Sequence, residues 1–340
     1  MPERVLTGIK PTGLPHLGNY VGAIRPALER GDRADEAFFF IADYHALNQI
    51  QDPRELNVLS YAVAATWLAS GLDPSRSHFY RQSDVPETFE LSTILSAFTP
   101  KGWMNTAHAY KAVVAANADS GRERDHGVNM GLYTYPVLMA ADILLFDATV
   151  VPVGSDQVQH VEIAREIANR INSHVDDDVF VVPRYEVQEQ AEAIPGLDGR
   201  KMSKSYDNTI PLFASYDDRK RRVYGIKTDS SGRYDAKIAE GAPVYDIYAS
   251  FASPDDAAAL RAGLEEGRLG WADAKGRLLD LLDEAFTQRT ERFNELMAHR
   301  DEIDDILVDG ARRIRPAAQE TLERVRRAIG RAGTVQLTHD

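Results

Sequence analysis

Three features of the 340-residue sequence predict an α/β fold: a doubly wound, Rossmann-like parallel sheet with a helical insertion, followed by a C-terminal helical domain. A short β-prone run at residues 5–7 stops at Gly8, and after Pro11, Gly13 and Pro15 the spacing of Val21, Ile24 and Leu28 turns helical. Residues 37–42 (Ala-Phe-Phe-Phe-Ile-Ala) are apolar without alternation, which suits a parallel strand covered on both faces. Strand and helix patterns then alternate as far as Val182, and beyond Ser205 the apolar spacing is mainly helical.

The bulk numbers agree. A chain of this length can bury a large core and predicts two domains, 1–205 and 206–340, with the insertion at about 86–130. No apolar run is long enough to span a membrane and no basic-then-apolar leader follows Met1, so the expectation is a cytoplasmic protein. The sequence has no cysteine, which rules out a disulfide framework and thiolate zinc sites. A formal net charge of −13 argues against a general nucleic-acid or DNA binder. It leaves room for an RNA partner, which needs only a local basic track and matching shape.

In chain order, the run 37–42 ends in Asp43, Tyr44, His45 and Asn48, polar residues at the carboxyl end of a strand, where α/β folds bind ligands. Pro53 starts a helix carrying Leu56, Leu59, Val63, Trp67 and Leu68, and Gly71 ends it. Residues 78–81 read as a third strand. Residues 86–129 have helical periodicity (Phe89, Leu91, Ile94, Leu95, Phe98) and a polar tip at 119–125. Residues 132–146 are nearly all apolar, with Asp142 inside. A strand at 149–153 runs into residues 154–160, which open a helix through Ile163, Ile167 and Ile171. Residues 179–182 are expected to form the last strand, and helices are expected at 217–224, 244–251, 255–266, 273–297 and 315–329.

Several positions carry chemistry. A strand that breaks on glycines before a helix leaves N–H groups and the helix dipole free for phosphate. The opening loop matches neither GxGxxG nor GxxxxGK[ST], so the dinucleotide and P-loop readings fail. What remains is His16-Leu17-Gly18-Asn19: glycine lets a nucleotide approach closely, and His and Asn can donate to a phosphoryl group. The bland reading is an ordinary turn with a capping Asn. Asp142 on an apolar helix is costly unless a donor meets it. That donor is either a ligand or a neighbouring backbone N–H or arginine. Met139 and Tyr135 lie about one and two turns before it on the same side. Asp156 is either a ligand group or an N-cap, and His45 either lines the crevice or is a satisfied polar residue.

Lys201-Met202-Ser203-Lys204-Ser205 resembles the KMSKS loop of class I aminoacyl-tRNA synthetases, and His16-Leu17-Gly18-Asn19 resembles their HIGH signature. Residues 135–145 (Tyr-Pro-Val-Leu-Met-Ala-Ala-Asp-Ile-Leu-Leu) and 151–160 (Val-Pro-Val-Gly-Ser-Asp-Gln-Val-Gln-His) resemble the bacterial tryptophan-specific members. The resemblance implies activation of L-tryptophan with ATP, carrying substrate-bound Mg2+, and transfer of the tryptophanyl group to tRNA(Trp). It gives Lys201 and Lys204 the charge on the phosphates, with His16 and Asn19 holding them from the opposite side. It assigns ATP to the opening loop through Lys10, Pro11, Thr12, Gly18 and Asn19. Gly154, Ser155 and Asp156 join them after the fourth strand, and Ile194 with Met202, Ser203 and Ser205 from the lysine loop. Tryptophan falls to Asp142, Met139, Tyr135, His45 and Gln157, walled by Val151, Val153 and Leu6. No protein-held metal is implied. An indole N–H is a donor only, so a fixed acceptor such as Asp142 selects it.

Three expectations go further. The tail arginines Arg312, Arg313, Arg315, Arg324, Arg326, Arg327 and Arg331 make the end of the chain basic and are expected to lie near a track for the anticodon arm; the alternative is a solvated helix face. The family's usual state implies a homodimer through residues 89–103. Lys10 stands where the resemblance leads one to expect Gln, and Leu6 where an aromatic is more frequent; the Lys10 ammonium is expected to contact the phosphate or carboxylate and share the electrostatic work, the alternative being that it extends to solvent. Rival readings are the tyrosine-specific sibling and a non-charging paralogue that binds tRNA or a protein partner.

Overall fold

The computed structural model describes residues 2–187 and 194–330. Its centre is a five-stranded, all-parallel sheet in the order β3-β2-β1-β4-β5, formed by β1 (Arg4–Ile9), β2 (Glu36–Ile41), β3 (His78–Arg81), β4 (Val150–Val153) and β5 (Arg184–Val187). Because side chains alternate along a strand, β2 feeds two cores: Phe38 and Phe40 enter one, Phe39 and Ile41 the other. The first core is completed by α8 (Met130–Leu144) and α9 (Val158–Val175). The second is completed by the opening helix, α4 (Pro53–Ala69) and α13 (Trp271–Ala298).

Local signals explain most boundaries. The opening helix begins as a single turn, α1 (Leu17–Asn19), widens through a π-helical stretch at Tyr20–Ile24 and continues as α2 (Arg25–Asp32). Asp52 caps α4 by accepting from the N–H groups of Arg54 and Glu55 at 2.8 and 3.0 Å, with Pro53 at its first position. A short α3 (Asp43–Ala46) follows β2. The insertion holds α5 (Glu87–Phe98), α6 (Lys101–Thr106) and α7 (His108–Asp119). After the lysine loop come α10 (Tyr216–Tyr224), α11 (Pro243–Ala249), α12 (Pro254–Glu265), α13 and α14 (Arg300–Ala328).

Two expected elements differ. Residues 179–182 are not a strand; the ladder is taken up by β5 instead. The Asn172 side chain accepts from the Phe180 N–H and donates to its carbonyl, both at 2.9 Å, so the backbone groups of Phe180 are taken up by a side chain and not by a neighbouring strand. Pro183 follows, and the chain pairs with β4 only beyond it. The final helix starts at Arg300 rather than 315 and carries Pro316 in its interior. An interior proline forfeits a hydrogen bond. A continuous buried stripe outweighs that loss: Ile303, Leu307, Ala311, Ile314, Ala318, Leu322 and Val325.

That stripe passes from one core to the other. Ile303 and Leu307 pack with the α13 side, and Ala311 to Val325 with the α8–α9 side. The helix crosses edge strand β3 at Gly310, where a Cβ would sit 1.8 Å from the Phe79 carbonyl oxygen. Covering β3 in this way also protects an exposed sheet edge. The helices after the lysine loop therefore share both cores of the sheet.

The tail arginines serve the same packing. Arg313 donates to the Pro74 and Ser77 carbonyls at 2.6 and 3.2 Å, Arg315 pairs with Glu87 at 2.9 Å, and Arg326 pairs with Glu90 at 2.6 Å. Arg324 reaches Asp147 at 2.6 Å and the Val179 carbonyl at 2.7 Å. Four residues expected on an RNA track are thus tied into the protein. Arg312 pairs with Asp309 of its own helix and Arg327 is exposed; Arg331 lies outside the described residues. Gly310→Ala should force α14 off β3 and destabilise the protein by about 1–3 kcal/mol. Urea unfolding measures it, and an unchanged midpoint would contradict so close a crossing.

Candidate active site

A cleft of about 930 Å³ opens at the carboxyl ends of β1 and β4. The chain leaves β1 for β2 on one side and returns at β4 on the other, which makes this the switch point where open α/β sheets bind ligands. Its two ends differ in chemistry.

At the polar end the opening turn and the lysine loop are joined. His16 and Pro211 form an isolated antiparallel bridge, with Leu17 N–H donating to the Ile210 carbonyl at 3.0 Å and Leu212 N–H to the Pro15 carbonyl at 3.1 Å. Asn19 turns back on its own turn and accepts from the His16 N–H at 3.1 Å. His16 is buried, and its Nδ1 is without a hydrogen-bond partner. Burial, and then the nearby Lys204, push its pKa down to about 4, so it is a neutral imidazole at pH 7. The Lys204 ammonium lies over Gly13, where a Cβ would come within 2.5 Å of Nζ and where φ is +145°. Only glycine leaves that space and adopts that backbone. Partial burial lowers the Lys204 pKa.

The lysine loop is pinned from beneath by Asn208. Its Oδ1 accepts from Ser203 N–H at 2.8 Å, and its Nδ2 donates to Asp198 at 2.7 Å and to the Lys201 carbonyl at 3.1 Å. Gly196 packs so closely on Asn208 that a Cβ would meet its amide at 2.3 Å. Met202 is buried beside Gly18, while Lys201 stays exposed.

The other end is apolar, walled by Leu6, Phe40, Met139, Val151 and Val153, with Asp142 at its base. Asp142 is buried and already has partners. His45 Nε2 lies 3.0 Å from its Oδ2, and Gln82 Nε2 donates to both oxygens at 2.9 Å. Burial raises the Asp142 pKa, while His45 and Gln82 work against that rise. Neither the backbone N–H nor the arginine weighed from the sequence supplies this role. His45 both lines the cleft and holds Asp142.

Between the two ends lie Lys10, Asp156, Gln157 and Tyr135. Lys10 is exposed at the cleft mouth; surrounding protein lowers its pKa while the Asp156 carboxylate works to raise it. Asp156 begins a short turn and its carboxylate accepts from Gln157 Nε2 at 2.7 Å. Thr12, Gly154, Ile194 and Ser203 also line the cleft. Pro11, Ser155 and Ser205 do not: Pro11 is buried, and Ser155 and Ser205 point outward as exposed residues.

A family model described as "tRNA synthetases class I (W and Y)" matches residues 1–287. The chain belongs to this family. Among curated members of this synthetase family, the tryptophan--tRNA ligase of Neisseria meningitidis is 49% identical over 330 residues, covering 96% of this chain and 98% of that one. The ligase of Pseudomonas putida is 49% identical over 333 residues, 97% of this chain and 74% of its own. A crystal structure of the Campylobacter jejuni tryptophanyl-tRNA synthetase complexed with ADP and tryptophan superposes with a TM-score of 0.87 at 41% identity, over 96% of this chain and 99% of that one.

Five residues of this class I synthetase were not singled out from its sequence: Gln82, Tyr80, Asn208, Trp67 and Tyr206. Gln82 had a signal, since it is the first polar residue after β3 and the same logic singled out Asp43 to Asn48. Tyr80 is fully buried, and the charge of Asp142 helps keep its hydroxyl protonated. Asn208 had none: its contacts are made by a loop folding back on itself. Trp67 and Tyr206 line the cleft from α4 and the lysine loop, the first legible only as core.

Proposed function

We propose that this protein is a tryptophan--tRNA ligase. It activates L-tryptophan with ATP and transfers it to tRNA(Trp). The observation that carries the reading is the buried Asp142 carboxylate, held by His45 and Gln82 at the base of an apolar slot, across the cleft from His16, Lys201 and Lys204. A fixed acceptor at the base of apolar walls suits an indole N–H. A cluster of cations and N–H donors suits the phosphates. The relatives named above carry the same activity in their names.

In this reading the tryptophan carboxylate, already ionised, attacks the α-phosphorus, a P–O bond forms, and pyrophosphate leaves. No protein base is needed. Catalysis rests on placing the two substrates and on offsetting the negative charge that grows on the phosphates. Lys204, drawn over Gly13, and Lys201 supply positive charge; His16, neutral, offers a hydrogen bond from its ring N–H and no charge; Gly18 lets the nucleotide lie against the backbone. Asp156 is the cleft carboxylate suited to the ribose hydroxyls. In the second step the terminal 2′-hydroxyl of tRNA attacks the acyl carbon, AMP leaves, and the hydroxyl proton departs with it. Mg2+ enters as part of the ATP substrate, held by phosphate oxygens and water.

The enzyme works on cytoplasmic tRNA in this reading; no helix among the described residues is long and apolar enough to cross a membrane. A homodimer is supported by a patch of exposed apolar side chains beside α5. Tyr44 is 44% exposed and stacks on Phe89, and Leu47 and Met130 are 41% and 70% exposed. Sedimentation as a monomer at micromolar concentration would sink that assembly.

Tryptophan-dependent exchange of labelled pyrophosphate into ATP tests the activity. Exchange driven by tyrosine instead would reassign the substrate, and robust exchange with no acylation of any tRNA would favour a non-charging paralogue. The same assay tests Lys10. An ammonium beside the reacting groups adds attraction that a neutral amide lacks. Lys10→Gln should lower the maximal exchange rate by about tenfold, more than it raises the KM for tryptophan. Unaltered kinetics would leave Lys10 a surface residue.

A further inference from the structure

His160 touches the cleft nowhere, yet it stands behind the residues that wall it. It is 1% exposed on α9, and it takes part in a run of contacts from Asp156 to Tyr135. The Gln157 side chain lies 2.7 Å from Asp156 Oδ2 through Nε2 and 3.0 Å from His160 Nδ1 through Oε1. The Tyr135 oxygen sits across the ring edge, closest to His160 Nε2 and 3.1 Å from Nδ1.

The polarity of this run follows from one fixed end. An ionised carboxylate only accepts, so Gln157 must present its NH2 to Asp156 and therefore its carbonyl to His160. A carbonyl also only accepts, so His160 carries its proton on Nδ1. A neutral imidazole protonated there accepts at Nε2, and the Tyr135 hydroxyl must donate to it. Burial, with help from His108, pushes the His160 pKa down to about 4, so the ring is neutral at pH 7. Burial raises the Tyr135 pKa, so the phenol keeps its proton. With that proton committed to Nε2, the Tyr135 oxygen has only lone pairs left to offer the cleft it lines.

We propose that His160 is a positioning residue: it passes the direction set at Asp156 through Gln157 on to Tyr135 and thereby makes the Tyr135 oxygen an acceptor for the ammonium group of the amino-acid substrate. The inference rests on the ligase reading, because it needs an ammonium-bearing ligand beside Tyr135. Without His160 the hydroxyl can rotate its hydrogen into the cleft, where it opposes a cation. The role is one of orientation, so its loss should be felt by the ammonium and not by the indole.

Equilibrium binding to the full chain separates the two, with tryptophan and indole-3-propionate (tryptophan without its amino group) as probes. His160→Phe should weaken tryptophan by about tenfold or more, the worth of a charge-assisted hydrogen bond, and leave indole-3-propionate within about twofold. His160→Gln, which can place an acceptor where Nε2 stood, should recover most of the loss; His160→Asn, which reaches only the Nδ1 position, should not. These two also serve if the phenylalanine variant fails to fold. Tyr135→Phe should weaken tryptophan in the wild-type background and do little more in the His160→Phe background. Equal weakening of both probes would make His160 merely structural and overturn the proposal. So would tryptophan affinity that survives His160→Phe and His160→Asn, or additive losses in the double variant. A wild-type chain that binds no tryptophan overturns the ligase reading itself.

Discussion

The site depends on a short backbone bridge. Pro15 and Leu17, near the start of the chain, are hydrogen-bonded to Leu212 and Ile210, on the far side of the whole nucleotide fold. Closing a loop of that size costs entropy, though the cost grows only slowly with length. The shared core offsets it: Leu17, Met202, Ile210 and Leu212 are all buried in one cluster. Everything at the polar end follows. Lys204 reaches Gly13 because the segment after its loop is bonded beside His16, and His16 loses its charge because that same closure buries it next to an ammonium.

The apolar end is governed by a different balance. Taking a carboxylate out of water costs several kcal/mol, and a single missing partner leaves much of that uncompensated. Asp142 is tolerable in its slot because His45 and Gln82 arrive from two other strands to meet it. His45 follows β2 and Gln82 follows β3, so the parallel register of neighbouring strands delivers both to one carboxylate. Such a group is ordered before any ligand arrives. Preorganisation of this kind is what lets a site discriminate by the partner it would otherwise leave bare.

How much of this could be read from the chain depended on range. The strand 37–42 and the helix from Pro53 were legible because burial on both faces and a cap-plus-proline start are local patterns. The cleft walls at Met139, Asp142 and Asp156 were legible because a carboxylate among apolar residues, or at a strand-to-helix turn, is locally odd. Residues 179–182 looked like a strand because what takes up the backbone of Phe180 is a side chain outside the stretch, that of Asn172. The packing role of the α14 arginines was not legible because their partners, Glu87, Glu90, Asp147 and the Pro74 carbonyl, lie far away in sequence. The final helix was expected only from 315, whereas long-range packing carries it from Arg300 straight through Pro316.

The crossing of α14 over β3 has a consequence for how the protein comes into being. The cleft draws its walls from residues up to Tyr206, and its bridge is complete at Leu212. The helix that covers β3, and whose Asp304 holds Arg81 next to Gln82, begins only at Arg300. Chains fold from the N-terminus as they leave the ribosome. A nascent chain thus possesses every group that lines the cleft while the strand behind Gln82 still has a bare edge. Synthesis of the final long helix is the step that turns a chemically complete site into a mechanically finished one, and a chain stalled before it would expose an unpaired strand to its neighbours.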